Sequence, residues 1–197
     1  EAMPMHLLEF SAHLRRHQHN PEALRFYVPK LETEEEAAYL NTLISTAEEM
    51  IIKENDAFNK ANPDKTPRHY EKGTVKLILV FETARATFRM KEMAHALKDY
   101  FIGGSLGWHD YLASAATIFE GVPSYQIPVK SDPNIVQAHI RESHELLARE
   151  MDAIGAVAIG GMYGILPVKS ADPAETKASY DTAMKGYVKD VVAQLHR

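Results

Sequence analysis

Two rhythms of apolar and polar positions alternate along this chain. Short, nearly continuous apolar runs recur between longer stretches in which apolar residues return every three or four positions. The first rhythm belongs to strands buried in a parallel sheet, the second to amphipathic helices laid over it. Arg25-Phe-Tyr-Val-Pro29 reads as a buried strand bounded by Pro21 and Pro29. Thr33, with Glu36 three positions on, forms a capping-box pattern. Ala37, Leu40, Leu43, Ile44, Ala47 and Ile51 then mark one face of a helix. Asn59 to Gly73, with Pro63 and Pro67, reads as a surface loop.

Thr74-Val-Lys-Leu-Ile-Leu-Val-Phe81 is the strongest strand pattern, and its continuous apolar character predicts cover on both faces. Thr87 to Tyr100 predicts a helix. Phe101-Ile102 leads into the glycine-rich turn Gly103-Gly-Ser-Leu-Gly107, and Tyr111 to Phe119 predicts another helix. A second loop spans Gly121 to Ser131, after which Pro133 opens a long helix to Met151. Ala156-Val-Ala-Ile159 predicts a short strand ending in Gly160-Gly161, and Asp172-Pro173 opens a last helix that runs to the end of the sequence.

Strands alternating with helices place the chain in the α/β class with a parallel sheet. The pattern gives about four strand–helix units, whereas a closed (β/α)8 barrel takes roughly 250 residues and eight strands. Residues 1–197 are therefore expected to form one partial TIM-type barrel domain, about half of the closed structure. Half a barrel leaves two strand edges and its interior open, so the rest of the same polypeptide or another chain is expected to complete it.

Composition narrows the function without naming it. The 197 residues are 45% hydrophobic and 25% charged, with a formal net charge of −5. That balance is unlike the basic domains that bind nucleic acid, and no nucleic-acid partner is expected. The absence of cysteine excludes a disulfide scaffold, thiolate zinc sites and a cysteine nucleophile, and agrees with a cytoplasmic or other reducing setting. No apolar run approaches the ~18 residues that span a bilayer, so no membrane partner is expected.

Two positions stand out chemically. Glu82 directly follows the run Leu77-Ile-Leu-Val-Phe81, where a carboxylate must be solvated, paired or metal-bound because isolated burial of its charge is costly. An ion pair with Arg85 or Arg89 is the plain alternative to a metal. Asp110 lies in Gly107-Trp108-His109-Asp110-Tyr111, after the next strand and at the start of the next helix. There it serves either as a helix N-cap or as a ligand. Parallel strands send both carboxylates into one mouth at the strand C-termini, the end at which α/β enzymes place their sites. Two oxygen ligands plus waters are a common way to hold Mg²⁺. His109 beside them is a candidate substrate contact.

Other patterns carry less. His13 and His17 are four apart but lack the glutamate of the His-Glu-x-x-His zinc motif, and a solvated basic face with Arg15 and Arg16 explains them. Gly160-Gly-Met-Tyr-Gly164 is not a dinucleotide fingerprint, and neither a Walker A sequence nor a Gly-x-Ser-x-Gly elbow occurs.

Four segments, in order, resemble the malate synthase family. They are Phe26-Tyr-Val-Pro-Lys-Leu-Glu32, Gly73-Thr-Val-Lys-Leu-Ile-Leu-Val-Phe-Glu-Thr83, Ser105-Leu-Gly-Trp-His-Asp-Tyr111, and Ala156-Val-Ala-Ile-Gly-Gly-Met162 with Ile165-Leu-Pro167. The 28 positions from Glu82 to Asp110 match the family's metal-carboxylate spacing. The resemblance implies Glu82 and Asp110 as catalytic, Mg²⁺-binding carboxylates, and Gly107, Trp108, His109 and Asp110 as lining a glyoxylate pocket, chiefly through backbone N–H groups. It implies acetyl-CoA and glyoxylate as substrates, malate and CoA as products, and a place in the glyoxylate cycle, with a peroxisomal or glyoxysomal home if the source is eukaryotic.

Trp108-His109 departs from the family's Arg-Trp at that turn, and the loops after Asn59 and Phe119 are longer than expected. The family's essential arginine and its catalytic aspartate base are not matched here, so the chain is expected to be a fragment that binds metal and glyoxylate without turning over. A lyase of the citrate-lyase β-subunit type, cleaving malyl-CoA or citramalyl-CoA, shares the carboxylate pair and is the competing enzymatic reading. A barrel-derived interaction domain without chemistry is the other.

Overall fold

The computed structural model describes residues 4–125, 140–164 and 166–195. Four strands lie side by side and parallel: β1 (Arg25–Val28), β2 (Lys76–Phe81), β3 (Phe101–Leu106) and β4 (Val157–Ile159). Their order across the sheet is their order in the chain. A doubly wound sheet reverses direction at a switch point, whereas a barrel adds each strand on the same side of the last. The monotonic order is the winding of a partial (β/α) barrel.

Parallel neighbours require crossover connections. A helix α1 (Met5–His17) precedes the sheet, and α2 (Glu34–Ala61) joins β1 to β2. Two short helices, α3 (Ala84–Thr87) and α4 (Met90–Ala96), join β2 to β3. After β3 come α5 (Trp108–Ile118) and α6 (Arg141–Asp152), and after β4 comes α7 (Pro173–Leu195). The expected loop to Ser131 and the helix start at Pro133 fall partly outside the described residues, as does Ile165 of the last family-like segment.

The capping box forms as read. Thr33 Oγ1 accepts from the Glu36 N–H, and the Glu36 carboxylate accepts from the Thr33 N–H. The helix it starts buries Ala37, Ile44, Glu48, Ile51 and Asn55 along one stripe. It continues to Ala61, past the expected loop start at Asn59. Asn59 instead pins the loop from within the helix: its amide donates to the Arg68 carbonyl and accepts from the Arg68 N–H, at 2.9 and 2.8 Å.

The helix expected over Thr87–Tyr100 is broken. Thr83 caps α3 by accepting from the Ala86 N–H, and the Thr87 hydroxyl bonds back to the Thr83 carbonyl. The chain then turns at the exposed Phe88 before α4 begins. Local threonine bonds of this kind offer the backbone an alternative to a continuous ladder.

Leu77, Leu79 and Phe81 of β2 face the helices and are almost fully buried, each contributing about 1.5–3 kcal/mol by transfer from water. They share one core with Ile44 and Ile51 of α2, Met90 and Met93 of α4, and Leu147 and Met151 of α6. The opposite face is less covered. Tyr27, Ile78, Gly103 and Val157 lie in register across the sheet, and Tyr27 and Val157 are exposed. The expectation that β2 is covered on both faces is thus corrected: its residues alternate buried and half-buried. β1, expected as buried, alternates exposed and half-buried because it is the edge of the described sheet.

Candidate functional site

Three strands end at one rim of the sheet, and each delivers a charged or helix-starting residue there. β1 runs out through Pro29 to Lys30, β2 to Glu82, and β3 to Gly107, the residue before α5. Strand β2 ends at Phe81, so Glu82 emerges with the sheet at its back and is only 5% exposed. Asp110 is the third residue of α5, in the first turn, where the helix dipole favours negative charge. The N-cap is Gly107, so the plain alternative of Asp110 as a cap is overturned: helix α5 begins three residues earlier than the expected Tyr111.

Glu82 and Asp110 meet across a single cation. The Lys30 ammonium lies 3.1 Å from Glu82 Oε2 and 2.7 Å from Asp110 Oδ1. The Lys30 backbone N–H also donates to Glu82 Oε1, at 2.7 Å. The alternative partners considered for Glu82 are engaged elsewhere or act elsewhere. Arg89 pairs with Glu34 and Glu92, and Arg85 lends its field to Glu35. Hydrogen bonding to Asp110, then to Glu82, holds the Lys30 ammonium above the ordinary lysine range. Reciprocally, Lys30 holds the Asp110 carboxyl below the usual carboxylate range.

Lys30 escaped the reading of the sequence as a functional residue. In the sequence it is one residue of the family-like segment Phe26–Glu32, with no role attached to it. The available signal was positional, since it follows the strand immediately before the one that ends in Glu82. What the sequence did not reveal is its backbone. Lys30 has φ 63°, the left-handed region, and is the one non-glycine residue among the described residues to do so.

Gly107 owes its identity to space. Its φ of −97° suits any residue. An added Cβ, however, would come within 2.5 Å of Glu82 Cβ and 2.8 Å of Glu82 Oε2. Its N–H donates to the Phe81 carbonyl, so of the four N–H groups freed by the start of α5, those of Trp108, His109 and Asp110 remain outside the helix ladder. Trp108 is 3% exposed, and its indole N–H donates to the Met162 carbonyl at 2.7 Å. It therefore anchors the Gly160–Gly164 turn under the rim. His109 stacks on it with ring centroids 3.6 Å apart. His144 of α6 steadies the same turn, accepting from the Gly161 N–H at 3.1 Å.

The donor chemistry suits a hard divalent ion. Two carboxylates already converge on one cationic atom, and Mg²⁺ is commonly held by one or two carboxylates with waters and substrate completing its shell. Among the described residues no cluster of three or more His, Cys, Asp or Glu is placed to hold a metal. The protein's share of such a shell would be these two residues.

A parallel sheet with barrel winding and a carboxylate pair at its C-terminal rim defines the chain as part of a (β/α)-barrel protein. The family profile described as malate synthase, TIM barrel domain, matches residues 3–196, and the chain belongs to the malate synthase family. Malate synthase A of Escherichia coli (strain K12) is 31% identical over 179 residues, 87% of this chain and 30% of that protein. Glyoxysomal malate synthase of Gossypium hirsutum is 29% identical over 168 residues, 85% of this chain and 26% of that protein. The chain thus spans less than a third of the length of these relatives. A solved Haloferax volcanii malate synthase, a pyruvate/acetyl-CoA ternary complex, superposes with a TM-score of 0.52 at 13% identity, covering 95% of this chain and 43% of that one. At that identity the likeness concerns the fold.

Proposed function

We propose that this chain supplies the metal- and keto-acid-binding rim of a malate synthase, an acyltransferase that condenses acetyl-CoA with glyoxylate and water to give malate and CoA, as in the glyoxylate cycle. The observation that carries the reading is the convergence of Glu82 and Asp110 on one cation position at the strand C-termini. The family assignment supports it, as does the pyruvate/acetyl-CoA complex of the Haloferax relative.

Glu82 and Asp110 would hold Mg²⁺, which when bound neutralises negative charge on the oxygens of an α-keto acid. The chain's own residues then do the positioning. The first turn of α5 offers backbone N–H groups and a favourable dipole to the keto acid's carboxylate. Gly107 leaves room for Glu82 to sit against the strand end, and buried Trp108 fixes the turn that closes the rim. His109, half-exposed on top of Trp108, is the side chain placed to touch the substrate.

The test is binding of glyoxylate in the presence and absence of Mg²⁺, by calorimetry, to the protein and to Glu82→Gln and Asp110→Asn. Glyoxylate is expected to bind only with metal, and each substitution should weaken metal binding at least about tenfold. Metal binding that survives both substitutions would sink the proposal. In a protein that carries this chain within a whole barrel, release of free CoA from acetyl-CoA and glyoxylate separates the synthase from a malyl-CoA lyase, which leaves the thioester intact.

A further inference from the structure

Lys30 makes two independent contacts with the carboxylate pair, one through its backbone and one through its side chain. The N–H bond to Glu82 Oε1 follows from the left-handed turn after β1. Glycine would adopt that turn without strain and keep the same N–H bond. A lysine held at φ 63° therefore adds one thing a glycine could not, the ammonium that reaches both Glu82 Oε2 and Asp110 Oδ1. Strained conformations of this kind persist where the surroundings over-determine them.

The ammonium also occupies a position within reach of both carboxylates. A divalent ion bound to the same two oxygens would sit about 2.0–2.1 Å from each. Two cations cannot share that space. The Lys30 side chain is 60% exposed and rides on a flexible four-carbon stem, so it has somewhere to go.

We propose that Lys30 is a tethered placeholder cation: its ammonium holds Glu82 and Asp110 together at ligand spacing, and a divalent ion binds by displacing it. The proposal rests on the metal reading given above. Glu82 is almost fully buried, so an unpaired carboxylate there beside Asp110 would repel its neighbour and splay the rim. The lysine keeps the ligand pair assembled between binding events and in exchange weakens the metal by competition. It is a positioning residue.

The experiment is a Mn²⁺ titration of the purified protein, read by calorimetry and by the fluorescence of Trp108, the single tryptophan, two positions from Asp110. Lys30→Met and Lys30→Gly are compared with wild type, and Lys30→Arg serves as the charge-retaining control. Melting without metal checks that each variant folds. Lys30→Gly keeps the turn and the N–H bond and so remains informative if Lys30→Met does not fold.

Both neutral variants are expected to bind Mn²⁺ about three- to tenfold more tightly than wild type. They should also melt lower without metal and show a larger metal-induced rise. Lys30→Arg should bind no more tightly than wild type. Equal or weaker binding by the neutral variants, with wild type binding normally, overturns the placeholder role alone. Failure of wild type and all variants to bind Mn²⁺ overturns the metal reading and this inference with it.

Discussion

Replacing Gly107 with alanine puts a methyl group in place of one hydrogen at a crowded point of the rim. The new Cβ would lie 2.5 Å from Glu82 Cβ, 2.8 Å from Glu82 Oε2 and 3.1 Å from a methyl of Val80. Carbon atoms prefer separations of about 3.5–4.0 Å, so a shift of roughly 1 Å is required. The tightest contact is with a Cβ, which moves only with its backbone, so rotation of the Glu82 side chain cannot relieve it. Because φ is −97°, no backbone strain adds to the cost. Overpacking of this kind destabilises by about 1–3 kcal/mol, which lowers the melting temperature by about 2–4 °C per kcal/mol in a chain of this size.

The functional cost should be larger than the stability cost. A carboxylate displaced by about 1 Å no longer shares a cation with Asp110, and misplacement of that order costs about a hundredfold where geometry matters. Calorimetric Mn²⁺ titration and a thermal melt measure the two effects separately. A Gly107→Ala protein that melts within about 1 °C of wild type and binds Mn²⁺ equally well would refute the close-packing argument for the rim.

Two further outcomes follow from the opposite end of the sheet. Glu48, fully buried on α2, accepts from the Tyr70 hydroxyl and the Val75 N–H through one oxygen and from the Gly73 N–H through the other, at 2.8, 3.1 and 2.7 Å. Glu48→Ala strands three donors at the entry to β2 and should cost about 3 kcal/mol or more in chemical denaturation, whereas an unchanged midpoint would show that the clamp is dispensable. Burial first, then the Glu48 carboxylate, raises the pKa of Tyr70, and burial also raises that of Tyr100. The native state therefore keeps phenol protons that the unfolded chain loses above about pH 10. Stability contributed by these phenols is full below that pH and falls as pH rises, by up to about 1.4 kcal/mol per unit for each group. Tyr70→Phe should flatten the decline between pH 10 and 11, and an unaltered slope would rule Tyr70 out as its source.

The sequence alone determined what depends on neighbours along the chain. Strand β2, the capping box at Thr33 and Glu36 and the order of helices and strands are local patterns, and each was legible. Glu82 and Asp110 were legible as candidates because strand ends in a parallel sheet share a rim. Their convergence was decided only by tertiary structure, which brings Lys30 to Glu82 across 52 positions of sequence and to Asp110 as well. No periodicity encodes a left-handed turn at a lysine, nor the space that Gly107 leaves for Glu82. The role of Trp108 was likewise decided by packing: its indole hydrogen bond reaches Met162, 54 positions away, and draws the ring under the rim. Helix breaks at Phe88 and the extension of α2 to Ala61 turned on side-chain bonds from Thr83, Thr87 and Asn59 that compete with, or anchor, the backbone ladder. Hydrophobic pattern specifies which face is buried, but long-range register specifies which charges meet, and the candidate chemistry of this rim depends on the second.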